Sequence, residues 1–268
     1  MMLALLAAAA ACPSLPGIGP VLTPATNYVL VGEYHGTVEM PAVAADVACA
    51  AAITGRPVIF GVEFTPDSQS ALDAFMASDG GTAARSSLLA APAWREPGGR
   101  TTAAILDMLE SVRRLGKART VKLIAFDTAP TPTGTSPERE AAMAVALSAA
   151  RAKQPDAIVV ALTGAGHADK EGFTSAKPPF LAAAGRLPAA ETVSLSFMRP
   201  GGQFWGCASP TGDASGGCKA YDMPPREPVV PRGITLDPKL RGGFDGLYSV
   251  GGSYTASKPP SAPGTAAR

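Results

Sequence analysis

The chain has 268 residues, enough for one sizeable α/β core, with a formal net charge of +1 and only 17% charged residues. That balance offers no electrostatic handle for nucleic acid or for an anionic membrane surface, so neither is expected as a partner. The expectation is one domain with a leader and a tail.

The opening run MMLALLAAAAACPSLPG is apolar, of signal-peptide length and ends in small residues, which suits export better than spanning a bilayer. Residues 1–17 are read as the leader, 18–221 as the domain and 222–268 as a Pro/Gly-rich C-terminal segment. An alanine run before Cys12 is similar to a bacterial lipoprotein cleavage site, so a lipid on Cys12 is the one expected membrane contact. The expected location is periplasmic or membrane-anchored in a bacterium.

Tyr28 to Val31 are β-rich, uncharged and followed by Gly32, which predicts a first strand. A helix follows from near Pro41, a residue suited to the first helical turn, to residue 53. Between them lie Glu33, Tyr34, His35 and Glu39, at a strand's C-terminal end, where ligands bind in open α/β sheets. Val58 to Val62 form a second strand ending at Glu63, and the β-α-β order implies parallel pairing through a right-handed crossover. Ser68 to Ala77 read as a short amphipathic helix. Residues 79–99, small and punctuated by Pro92, Trp94 and Pro97, read as a loop or lid over the sheet edge.

A helix over 101–115 follows, with Gly116 as its stop. Arg100 sits at its start, where a cation opposes the helix dipole, so a carboxylate or ligand partner is expected. Val121 to Phe126 form a third strand ending in Asp127, and residues 138–151 a helix with Arg139 in its first turn, capped by Ser136 or Thr135. Ala157 to Leu162 form a fourth strand that runs on through TGAGH to His167, and Thr192 to Phe197 a fifth. Cys207 and Cys218 flank a Gly/Ser/Pro-rich loop with little to order it except a crosslink, which predicts a disulfide and an oxidising compartment. Cys49 reads as a small core residue. Residues 244–257 can supply a final strand or a flap, and the last ten or so residues are expected to be disordered.

Four consecutive strand ends thus carry Glu33 with His35, Glu63, Asp127 and His167, and parallel order would gather them on one rim. The chain has only two histidines. A histidine beside a carboxylate serves as an oriented general base. Equally, His35, His167, Glu33 and Glu63 contain the donors for a divalent metal such as Zn, Mn or Fe. No GxSxG elbow occurs and no cysteine stands near either histidine, which disfavours covalent catalysis. A water activated by His35 or by a metal is the economical nucleophile. Structural readings stand beside these: Glu33 paired with Arg100 or Arg139, Asp127 capping the next turn, Glu39 solvated, Tyr34 packed at the strand end.

In order, GEYHGTVEMP, GVEF, Gly99-Arg100, AFD, the Arg139 to Met143 segment and TGAGHA resemble the superfamily that joins erythromycin esterases, ChaN-type haem-binding lipoproteins and Tiki/TraB proteins. The resemblance covers about residues 26 to 200. It implies an α/β fold, a three-layer α/β/α sandwich with a mainly parallel sheet and a polar site at the strand C-terminal edge. Glu33 and His35 match the first Gly-Glu-x-His pair, Glu63 the acid after the second strand and His167 the second histidine motif. The esterase branch implies that His35 activates water against an ester or lactone. The Tiki branch implies a divalent-metal site for peptide hydrolysis, and the ChaN branch implies haem held by His and Tyr ligands, for which Tyr34 beside His35 is the candidate, in iron uptake without catalysis. The resulting expectation is an exported hydrolase of a small-molecule or peptide substrate, with His35, Glu33, Glu63 and His167 catalytic and Glu39, Tyr34, Arg100, Asp127 and Arg139 around the ligand. Haem capture is the alternative.

Overall fold

A computed structural model describes residues 12–95, 98–128, 135–209, 212, 214–237, 239–240 and 242–261. The uncharged runs β1 (Tyr28–Glu33), β2 (Val58–Val62) and β4 (Ile158–Gly164) are buried at every position. A strand covered on both faces has to be apolar nearly throughout. β3 (Val121–Ala125) carries the exposed Lys122, as its edge position permits. With β5 (Thr192–Phe197), β8 (Gly233–Leu236) and β9 (Gly246–Ser249), they form a seven-stranded sheet in the order β3-β2-β4-β1-β5-β9-β8, parallel except for the β8–β9 pair. β6 (Gly202–Gly206) and β7 (Lys219–Met223) make a separate antiparallel hairpin.

Side chains alternate between the two faces along each strand. Val29, Val31, Val58, Phe60 and Val160 pack under α1 (Glu39–Ile53), α2 (Gln69–Ala77) and α4 (Ala103–Ala118). Tyr28, Leu30, Ile59, Val159 and Ala161 pack on the other face with Met143 and Leu147 of α5 (Pro137–Ala152). The result is the expected three-layer sandwich. Register brings the strand ends together: Glu33 pairs with Gly164, and Val62 pairs with both Leu162 and Ala125.

Several local expectations shift. β1 continues past Gly32 to Glu33, and α1 starts at Glu39, leaving Pro41 in its first turn. The expected lid of 79–99 contains α3 (Thr82–Leu89), anchored by buried Leu88, and a 3-10 turn at Pro92–Arg95. Gly116 does not stop α4; a Cβ there would lie 2.9 Å from Met76 Cε, so it lets two helices approach closely. His167 lies not on an extended strand but on the helical turn α6 (Ala165–Ala168).

The domain limits also move. Cys12 is bonded to Cys49, and Leu15 and Val21 are buried in the core, so residues 12–17 belong to the domain rather than to a leader. A sulfur held in a disulfide is not free to carry a lipid, and Cys49 is a crosslink, not a plain core thiol. Residues 1–11 of the expected leader lie outside the described residues. Cys207 and Cys218 are paired as expected, and two disulfides fit an oxidising, exported environment. Among the described residues no helix is long and apolar enough to cross a membrane.

The boundary at 222 disappears, because Met223, Ile234, Tyr248 and Tyr254 all join the main core. The Tyr248 hydroxyl donates to Gly32 O at 2.7 Å, tying β9 to the end of β1. Short edge strands tolerate the surrounding prolines that a central strand would not. Of the last residues expected to be disordered, 262–268 lie outside the described residues.

Candidate active site

Glu33 ends β1 and is buried, and two residues on His35 lies on the same side, its Nδ1 2.8 Å from Glu33 Oε1. Oε2 of Glu33 is buried without a hydrogen-bond partner among the described residues, so the imidazole is this carboxylate's polar contact. Gly36 must be glycine: its φ is +91°, and a Cβ would meet Trp205 O. Tyr34, on the opposite side of the chain, packs edge-on against Phe204 of the hairpin at 4.6 Å between ring centroids. Glu39 accepts the Thr255 N–H at 3.0 and 3.2 Å at the head of α1; it holds the backbone there rather than lining the site.

Glu63, directly after β2, is the centre of the cluster. Its Oε2 accepts from Thr163 Oγ1 at 2.8 Å and from the Gly164 N–H at 2.7 Å. Its Oε1 faces Arg100 Nε at 2.9 Å and Arg139 Nη2 at 3.2 Å. The two imidazoles flank it, with His35 Nε2 3.8 Å from Oε2 and His167 Nε2 3.6 Å from Oε1. Burial by itself would push this carboxyl up, but the neighbouring His35, Arg100 and His167 and the Gly164 N–H hold it far below the usual carboxylate range.

Arg139 grips Asp127 through two bonds of 2.8 and 2.7 Å. Burial works against its charge, but Asp127 and Glu63 more than restore it and raise its pKa. Asp127 also accepts the Thr128 N–H at 2.7 Å, so its turn role and its ion pair coexist. Neither arginine pairs with Glu33. The sheet order separates β1 from β2 and β3 by β4, so Arg139 meets Glu63 and Asp127 instead, while Arg100 goes to Glu63.

His167 Nδ1 lies 2.7 Å from Glu140 Oε1, and Glu140 also accepts from Ala183 N at 2.9 Å and Thr135 Oγ1 at 2.6 Å. Burial opposes the imidazolium, but the Glu140 bond and the charges of Glu63 and Glu140 outweigh it and raise the His167 pKa. Glu140 in turn is lowered: burial is overcome by His167, Thr135 and the Ala183 N–H. Sequence reasoning missed Glu140. Beside Arg139 in a first helical turn, it looks like Glu138, an acid placed to suit the helix dipole.

His35, His167, Glu33 and Glu63 do come together. Each imidazole has its Nδ1 on its own glutamate and its Nε2 toward Glu63, the way a carboxylate backs a metal-held histidine, but both Glu63 oxygens are already filled by guanidinium, hydroxyl and amide donors. Among the described residues no group of three or more His, Cys, Asp or Glu is disposed to hold a metal.

A cleft of about 800 Å³ opens over this rim, with His35, Glu63 and Arg100 at its base and Phe64, Pro66 and Pro92 on its walls. The His35 side chain is 26% exposed, whereas that of His167 is only 9% exposed. Gly164 makes room for the base, since a Cβ there would lie 3.0 Å from His35 Nε2. The cleft thus reaches one imidazole, oriented from behind by a carboxylate, whose Nε2 accepts the Arg100 Nε–H at 3.3 Å.

No family model matches the sequence, and no curated protein does. Solved structures match almost end to end. A succinoglycan biosynthesis protein is 11% identical with a TM-score of 0.66, over 91% of this chain and 92% of that one. A Bacillus cereus protein is 12% identical with a TM-score of 0.59, over 91% and 93%. A mutant of erythromycin esterase EreC in its open conformation is 10% identical with a TM-score of 0.58, over 91% and 94%. Identities this low carry the fold and nothing finer. The chain shares the α/β/α fold of these solved structures, the erythromycin esterase mutant among them.

Proposed function

We propose that the protein is a hydrolase that cleaves carboxylic ester or lactone bonds by general-base activation of water at His35. The observation that carries this reading is the Glu33–His35 pair at the base of the cleft, with Arg100 donating to the other imidazole nitrogen. With its Nδ1–H donated to Glu33, His35 carries its lone pair on Nε2, where the 3.3 Å contact from Arg100 yields to water for the base to act. Nε2 takes a proton from water as the oxygen attacks the ester carbonyl, and Glu33 stabilises the imidazolium that forms. Arg100, partly exposed beside Nε2, is placed to stabilise the oxyanion of the tetrahedral intermediate. Collapse of that intermediate breaks the acyl C–O bond. The imidazolium returns its proton to the leaving alkoxide, giving acid and alcohol with no covalent enzyme intermediate.

Glu63 acts one step back, holding Arg100 and Arg139 in place as a permanently ionised group. Ester bonds are favoured over peptide bonds because an alkoxide leaves the tetrahedral intermediate more readily than an amide nitrogen, so a single general base suffices. The test is turnover of a panel of nitrophenyl esters and lactones, with a haem titration in parallel. His35→Ala and Glu33→Gln are expected to lower kcat/KM by about 10²–10⁴-fold, the usual share of a general base, with circular dichroism unchanged. Turnover that survives His35→Ala, or a Soret band with no ester turnover, would overturn the reading.

A further inference from the structure

The groups assigned to catalysis sit on two loops far apart in sequence, His35 just after β1 and Arg100 just before α4. A third piece of chain, residues 254–258, is bonded to both. Thr37 and Ala256 form an antiparallel bridge, the Val38 N–H donates to Thr255 O at 2.9 Å, and the Ser257 N–H donates to Gly36 O at 2.8 Å. On the other side, the Ala103 N–H donates to Lys258 O at 2.8 Å and the Ala104 N–H to Ser257 Oγ at 3.0 Å. The first N–H groups of a helix have no partner within it; here the strap supplies two acceptors, three and four residues after Arg100.

Among the described residues Ser257 is bonded to both sides, its backbone to Gly36 and its hydroxyl to α4, and it is 3% exposed. The strap is itself anchored. Tyr254 donates its hydroxyl to Met198 O at 2.6 Å, and its backbone bonds to Gly201 and Gln203. The loops also pack directly: a Cβ on Gly99 would come within 2.7 Å of His35 Cβ. Contact that close leaves relative position to whatever fixes the two backbones.

We infer that residues 254–258 are a positioning strap, with Ser257 the residue that sets His35 against Arg100 by holding Gly36 and the start of α4 at once. This rests on the ester-hydrolase reading for its kinetic consequence, but not for its structural one. Loss of the Ser257 hydroxyl leaves the start of α4 held to the strap by the Ala103–Lys258 bond alone, which loosens the backbone that carries Arg100 without opening the sheet. The reacting groups then spend less time in register, which lowers kcat rather than substrate binding.

The experiment compares Ser257→Ala, Ser257→Thr and Ser78→Ala. Ser78 bonds to Phe75 and Gly80 at the far end of α2, so its loss controls for an ordinary missing cap. Ser257→Ala is expected to lower kcat by about 10- to 100-fold, the effect of a misplacement near 1 Å. KM is expected to stay within about twofold, Ser257→Thr to recover kcat, and Ser78→Ala to keep it at the wild-type value. Because the chain has only two histidines, imidazole NMR reads each ring separately. The His35 signal should move or broaden in Ser257→Ala while that of His167 stays. Wild-type kcat with an unmoved His35 signal in Ser257→Ala, or an equal loss of kcat in Ser78→Ala, overturns the inference. If the wild-type protein turns over no ester, the proposed function falls, and the His35 signal alone decides the strap.

Discussion

The pairing of His167 with Glu140 makes stability depend on pH in a direction the structure specifies. The folded pKa of His167 lies above its ordinary value of about 6.5. Its contribution is therefore complete below about pH 6.5 and is lost as pH rises through the folded value. What is lost is the attraction between the imidazolium and the Glu140 and Glu63 carboxylates, since a neutral imidazole keeps its Nδ1–H on the ionised Glu140. Removing one of the two charges from a bond that stays made costs on the order of 1 kcal/mol. In a domain of this size that is about 2–4 °C in Tm. Other groups titrate over the same range, so the measurement is a gap rather than a slope: Tm of wild type minus Tm of Glu140→Gln, at pH 6 and pH 9. The amide removes the charge partner, and the gap at pH 6 should be about 3–12 °C from the charged bond alone. The gap should narrow by about 2–4 °C as pH rises from 6 through the folded pKa of His167. A gap that is constant or widens with pH would refute the assigned ion pair.

Two further outcomes follow from particular contacts. Gly164 has φ −53°, which alanine adopts freely, so Gly164→Ala should fold normally while its Cβ displaces His35 Nε2 from 3.0 Å. Ester turnover should fall by about 10- to 100-fold with little change in Tm, and undiminished turnover would show that the base does not occupy that position. The Cys12–Cys49 bond closes a separation of 37 residues. In the chain-entropy picture, replacing both cysteines by serine should remove about 4 kcal/mol, read in urea or thermal unfolding; a change of less than about 1 kcal/mol would mean that residues 12–17 dock without it.

Much of the framework was legible because it is local. The YVLV, VIFGV and AIVVAL runs must be buried strands, and the charges that follow them must lie at strand ends, since interior positions of a doubly covered sheet exclude charge. The disulfide at Cys207 and Cys218 was legible because an eleven-residue separation in a Gly/Ser-rich loop leaves few other partners. Cys12 was not, because its partner lies in a helix whose alanines hide a cysteine as one more small side chain. The strand expected within 244–257 is present as β9, but the boundary at 222 was not legible, because the short edge strand β8 shows little periodicity and Tyr248 has to reach Gly32 before it counts as core.

The amino-acid order by itself determined that acids and imidazoles terminate buried parallel strands, because hydrophobic runs and the turn residues after them act over a few residues. Which acid meets which base was decided only by tertiary structure. The strand order β3-β2-β4-β1 sets Glu63 between the two histidines, hands Arg139 to Asp127, and gives His167 its own Glu140. No local rule contains that pairing, since it joins groups on different strands and helices, from 12 residues apart for Arg139 and Asp127 to 101 for Gly164 and Glu63.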